Sequence, residues 1–181
     1  MTEEQEPKFA SEFNYDFDCD LYFTGEISPF SAHFLNRQLK EVERYKEQLA
    51  DKTLLLHLTS DGGCVLSGLK LHDAIASSTL DITVLAEGMV CSAATLLLFA
   101  KKAKMTKHSF LLFHELNTYF GLSYSNARAH MDHVDRLMDM VITIYNTKMN
   151  PPIEKENLSK DWILDSSKAL ELGIVDEVIG G

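Results

Sequence analysis

Residues 82–103 read Ile-Thr-Val-Leu-Ala-Glu-Gly-Met-Val-Cys-Ser-Ala-Ala-Thr-Leu-Leu-Leu-Phe-Ala-Lys-Lys-Ala, and how this stretch divides decides the fold. Residues 82–87 alternate loosely and are rich in branched side chains, which predicts a strand. Residues 93–103 are dominated by Ala and Leu, which predicts a helix. Gly88 and Ser92 stand between the two. A serine at that junction meets unpaired N–H groups and the positive end of a helix dipole, the two things a developing oxyanion needs. The plainer alternative is an N-cap serine, common at helix starts. Lys101, Lys102 and Lys104 fall where the negative end of the helix dipole is expected.

Upstream, residues 21–23 form a short apolar run closed by Thr24-Gly25, a strand. Phe34, Leu35, Leu39, Val42, Tyr45 and Leu49 recur with helical spacing over residues 34–49. Residues 53–58 are a nearly continuous apolar run ending in Ser60-Asp61-Gly62-Gly63, after which Leu66, Leu69, Leu71, Ala74 and Ile75 predict a helix to about residue 77. The order is βαβαβ, with strands apolar enough to be covered on both faces, so an α/β fold is expected. Downstream, residues 110–113 are another buried strand, delivering His114 at its end. A long helix over 125–148 is stopped by Pro151-Pro152. A short helix at about 167–172, Gly173 at its C-cap and a last strand at 174–179 complete the chain. Gly63, Gly88 with Ser92, and His114 each follow a strand, where open α/β sheets place their sites.

Composition narrows the function. A chain of 181 residues that is 45% hydrophobic suits one well-buried domain. That domain is assigned to residues 21–181, with residues 1–20 an acidic segment expected to be flexible. Seventeen basic against 27 acidic residues, a net charge of -10, oppose nucleic-acid and anionic-membrane partners. Cys19, Cys64 and Cys91 are odd in number and lack metal-ligand pairing, which points to a reducing, cytoplasmic compartment. Residues 1–11 have no apolar signal core, and no later stretch reads as a membrane span. His130 and His133, with Asp132 and Asp135 nearby, have a spacing that could hold a metal. Exposed polar helix surface explains them as well, and no metal is expected.

Taken in order, several blocks carry a resemblance: Phe23-Thr24-Gly25-Glu26-Ile27; Ser60-Asp61-Gly62-Gly63; Gly88-Met89-Val90-Cys91-Ser92; Phe113-His114; Asp161; and Ala169-Leu170-Glu171-Leu172-Gly173-Ile174-Val175-Asp176. Together they resemble the proteolytic subunit of the Clp protease, over residues 21–179. The resemblance implies a crotonase-like spiral of βαβ units, with residues 125–148 as a protruding handle helix through which two heptameric rings stack. It also implies a serine endopeptidase in which Ser92 attacks, His114 moves the proton and Asp161 orients the imidazole. The backbone N–H groups of Gly63 and Ala93 would form the oxyanion hole. Its substrates would be peptides and unfolded proteins. The subunit would need no cofactor, ATP entering only through a separate AAA+ unfoldase.

The chain departs from the family pattern at Asp61, at Val90-Cys91, at Ala93-Ala94, at Glu115-Leu116 and at Lys160 in place of the usual Arg. Residues 117–121 also lack the family's paired glycines. The residues leave rivals in place: His114 as a core histidine, Asp165 instead of Asp161, and Cys91 as a thiol nucleophile rather than a packed side chain. Two other functions stay open. One is a weak or inactive assembly subunit partnering an active paralogue. The other is a crotonase-type acyl-thioester enzyme, which gives no reason for Ser92, His114 and Asp161 to coincide.

Overall fold

The computed structural model describes residues 20–49, 53–117 and 123–180. The expectation for the acidic segment therefore falls almost wholly outside the described residues, as do residues 118–122 of the stretch before the long helix. Seven strands form one sheet. Strands β1 (Asp20–Thr24), β2 (Leu54–Ser60), β3 (Ile82–Cys91), β4 (Lys102–Thr106) and β7 (Glu177–Ile179) lie side by side in that order, all parallel. Strand β5 (Phe110–Phe113) also pairs with β3 in parallel, and β6 (Trp162–Asp165) returns antiparallel to β5. The result is the α/β class read from the sequence.

Strand β3 is shared between two neighbours. Residues Thr83 to Ala86 pair with β4, whereas Met89 to Cys91 pair with β5. Between them Gly88 takes φ +61°, and the register with β2 jumps, Leu58 facing Ala86 and Ser60 facing Val90. The bulge turns the second half of the strand away from β4 and toward β5.

Helix α1 (Pro29–Arg44) starts earlier than its apolar spacing suggests, because Ser28 and Ser31 form a reciprocal capping box and Pro29 suits the first turn. It buries Ala32, Leu35 and Leu39, and a short α2 (Lys46–Leu49) follows. Helix α3 (Val65–Ser77) approaches the residues after β3 closely. A Cβ on its Gly68 would stand 2.8 Å from Ala93 O. Helix α4 (Tyr124–Tyr145) buries none of residues 126–136 and becomes buried from Leu137 onward, so residues 126–136 project from the core. Helix α5 (Ser166–Glu171) is capped by Asp165 and closes at Gly173, φ +74°.

The helix expected over 93–103 is corrected. Ser92–Phe99 is a 3-10 helix, and Lys102 and Lys104 belong to β4, where exposed and buried positions alternate. The Lys-Ala-Lys-Met run has a period of two, which is a strand signal, and its charges were misread as dipole partners. Lys104 instead pairs with Glu177 at 2.6 Å. The cation at the C-terminal end of the 3-10 helix is Lys148, whose Nζ donates to Leu98 O and Lys101 O at 2.7 and 2.5 Å. Strand β6 had no counterpart in the sequence reading, and the last strand is shorter than expected, Ile174 and Val175 being buried in the turn after Gly173. Among the described residues no helix is long and apolar enough to cross a membrane.

Tyr145 ends α4 inside the core, 3% exposed, against Phe99 and Phe113 at ring distances of 4.9 and 5.1 Å. Burial pushes its hydroxyl up to about 12, opposed by the Thr95 hydrogen bond. An unfolded tyrosine ionises near 10, so the stability that comes from keeping this phenol neutral is whole below that pH and is lost as pH rises toward 12. The loss is on the order of 2 kcal/mol. Urea midpoints measured from pH 9 to 11.5 should therefore fall more steeply for the wild type than for Tyr145→Phe. Equal slopes would contradict the burial.

Candidate active site

The site lies where β3 and β5 end. Ser92 has φ 54° and is the one non-glycine residue among those described with positive φ. A serine held there is strained by about 1 kcal/mol or more, the signature of a sharp strand-to-helix turn that lifts a nucleophile out of the chain. Its Oγ makes no hydrogen bond among the described residues, whereas its carbonyl accepts from Thr95 Oγ1 at 2.7 Å.

Two glycines let the preceding turn close on this elbow. A Cβ on Gly62 would lie 2.7 Å from both Cys91 O and Ser92 Cβ, so the turn packs directly on Ser92. Gly63, φ +140°, would put a Cβ 2.2 Å from Ile27 O. Ile27 N–H donates to Gly62 O at 2.7 Å and Cys64 N–H donates to Ile27 O at 2.8 Å. These bonds flank Gly63, so its own N–H points away from that neighbour. Ser60, buried, fastens the turn by donating to Gly25 O at 2.6 Å and accepting from Gly62 N–H at 3.1 Å. The sequence reading passed over Gly62 and Ser60; the serine two residues ahead of a glycine pair was the available signal.

Register carries the remaining residues to the same edge. Cys91 pairs with Leu112 in parallel, so Ser92 and His114 leave the sheet at one end of adjacent strands. Phe113 pairs with Trp162 at the end of the antiparallel ladder, so His114 and Asp161, the next residue on each side, leave it at the same end. Asp165 pairs with Phe110 at the other end of β5, about 13 Å away along the strand. Its carboxylate accepts from Lys168 N–H at 2.8 Å as the cap of α5. Asp165 is thus a capping residue.

The three side chains are not hydrogen-bonded to one another. His114 Nδ1 donates to Glu115 O at 2.5 Å. A carbonyl can only accept, so Nδ1 carries a proton, and in the neutral tautomer that makes this bond Nε2 holds the lone pair. Asp161 is exposed and makes no hydrogen bond or ion pair among the described residues.

The two described cysteines differ. Burial, with the Asp61 carboxylate second, pushes the Cys91 thiol up. Cys64, exposed ahead of α3, is drawn down chiefly by the Ser67 hydroxyl, against a burial penalty and with help from the Ser67 and Leu66 N–H groups. His130 and His133 have ring centroids 6.5 Å apart on α4. No group of three or more candidate ligands among the described residues could hold a metal.

The Clp protease family model matches residues 18–181. The chain belongs to the Clp protease family. The match spans every described element, and the alternating helices and mostly parallel sheet agree with a Clp-type peptidase subunit.

Iodoacetamide at pH 8 should modify Cys64 well before Cys91, because only the first is exposed and favours its thiolate. Peptide mapping by mass spectrometry reads the order. Faster modification at Cys91 would revive it as a nucleophile.

Proposed function

We propose that this Clp family chain is a serine endopeptidase subunit of a cytoplasmic, chambered protease. The observation that carries the reading is Ser92 in the left-handed region, at the one sheet edge to which register also brings His114 and Asp161. Ser92 Oγ bonds to the scissile carbonyl carbon and its proton passes to His114 Nε2. The N–H groups of Gly63 and Ala93 receive the oxyanion. Collapse expels the amine with the proton from His114, and water repeats the sequence to release the acid. Asp161 stabilises the imidazolium once His114 Nδ1 turns from Glu115 O to its carboxylate. No metal or other cofactor enters these steps. Peptides and unfolded proteins are the substrates, and ATP acts only through a separate AAA+ unfoldase.

Assembly into homo-oligomeric rings, single or stacked heptamers, is part of the proposal. Phe30 and Phe34 on α1 are 81% and 55% exposed, and Met131 and Met140 on the projecting α4 are 45% and 51% exposed. Surfaces of this kind are suited to burial against further copies. Light scattering at micromolar concentration should give many times the 20.4 kDa subunit mass. A monomer would remove the chambered reading.

A second reading is a weak or inactive assembly subunit, favoured by His114 bonding to Glu115 O while Asp161 stands apart. Fluorophosphonate labelling separates the two. The wild type should label and hydrolyse short fluorogenic peptides, and Ser92→Ala should lose both by roughly three orders of magnitude or more. Asp161→Ala should come close to that loss while Asp165→Ala costs only stability. Equal labelling of wild type and Ser92→Ala leaves the assembly reading.

A further inference from the structure

The peptide joining Ser92 to Ala93 is held from behind by two buried hydroxyls. Thr95 Oγ1 donates to Ser92 O at 2.7 Å, and Thr95 Oγ1 lies 2.7 Å from Tyr145 Oη. Thr95 is fully buried and Tyr145 is 3% exposed. Proton counting fixes the direction of the chain. Ser92 O has no hydrogen, so the one hydroxyl hydrogen of Thr95 must go to it, and Tyr145 must therefore donate to Thr95.

A peptide group is planar and trans, so fixing its oxygen fixes the direction of its N–H. The N–H at the other end of this group belongs to Ala93, which lies in the first turn of the 3-10 helix and has no helix carbonyl to meet. It faces the Gly62 turn, a Cβ on Gly62 falling 3.3 Å from Ala93 N. Hydrogen bonds in series polarise one another, so the Tyr145–Thr95 chain also draws electron density toward Ser92 O and strengthens Ala93 N–H as a donor.

We infer that Thr95 and Tyr145 are positioning residues that clamp the Ser92–Ala93 peptide and aim Ala93 N–H at the developing oxyanion. The same tyrosine serves the other two members. Its ring meets Phe113, immediately before His114, edge-on at 5.1 Å, and Phe113 meets Trp162, immediately after Asp161, at 5.9 Å. One side chain at the end of α4 thus underlies all three corners of the site. A threonine hydroxyl bonding three residues back is common in helices as a purely local contact. The buried tyrosine behind it, 50 residues away in sequence, is not local and joins the elbow to another element.

The kinetic consequence rests on the peptidase reading; the clamp itself does not. An oxyanion donor acts only in the transition state, so its misalignment lowers kcat and spares KM. Thr95→Val should lower kcat for short peptides about 10- to 100-fold with KM within about twofold, Tyr145→Phe should lower it less, and Thr95→Ser should restore it. A change confined to KM, or equal activity of Thr95→Val and Thr95→Ser, would overturn the inference. Chemical shifts give a readout free of activity. With carbonyl-13C serine and 15N alanine, the Ser31–Ala32 and Ser92–Ala93 peptides are labelled, and Ala93→Gly identifies the second. Its carbonyl and amide resonances should move in Thr95→Val and return in Thr95→Ser, while the first pair stays fixed. Unmoved resonances overturn the clamp whether or not the enzyme turns over. If wild type and Ser92→Ala hydrolyse peptides equally but the resonances move as expected in Thr95→Val, the peptidase reading falls and the clamp stands.

Discussion

The bend of β3 at Gly88 is the constraint on which the rest of the structure depends. A straight strand would keep β4 along its whole length and leave no edge for β5. Gly88 is needed for its backbone conformation and not for room, since a Cβ there would meet only Thr59 Cγ2, at 3.9 Å. Left-handed φ is costly for any residue with a side chain and free for glycine. The bend is held by Thr59 Oγ1, which donates to Glu87 O at 2.9 Å. Past it, the strand delivers Ser92 next to β5, and β5 in turn recruits β6, so that the positions of Ser92, His114 and Asp161 follow from one local deviation.

Opposing charges act on this edge, and their burial decides which matters more. The Lys148 ammonium bonds Leu98 O in the last turn of the 3-10 helix and Lys101 O just beyond it, and burial draws its pKa down despite Asp176 at 4.0 Å. A cation so placed offsets the negative end of the helix, an effect of up to about 2 kcal/mol when partly buried. Asp61 lies near enough to raise the Cys91 thiol and would disfavour negative charge on the adjacent oxyanion. Its side chain is exposed, however, and exposed charges are screened over about 10 Å at ordinary salt. The half-buried lysine is the less screened of the two.

The sequence made parts of this legible for physical reasons. Strands β1, β2 and β5 and the first half of β3 are apolar runs whose period or continuity marks them without reference to a partner. Helix α3 announces itself through Leu66, Leu69 and Ile75. The second half of β3 was missed because Gly88 looks like a terminator, and its pairing with β5 exists only in three dimensions. In Trp162-Ile163-Leu164-Asp165 the apolar run has an aspartate at its end and another, Asp161, just before it, so it does not stand out as a strand, and only the ladder with β5 makes it one. At the site, Ser92 could be read from its junction and His114 from the strand before it. The Ser60 fastening of the turn and the contact of Tyr145 with Thr95 could not, because each joins segments whose approach is decided by packing. The hydrogen bond of His114 to Glu115 O was equally invisible, being set by the ring's rotamer and not by residue type.

The antiparallel return of β6 has a consequence for how this chain tolerates change. His114 and Asp161 adjoin one end of the four-pair ladder of β5 and β6, while the chain between them, including the projecting half of α4, only has to leave and come back. Residues 126–136 of that helix include no buried side chain. It behaves as a cassette, free to be shortened, lengthened or exchanged, as long as its last turn returns Tyr145 to the same seat. Contacts between copies and the chemistry at the sheet edge can therefore diverge on separate schedules within a single polypeptide.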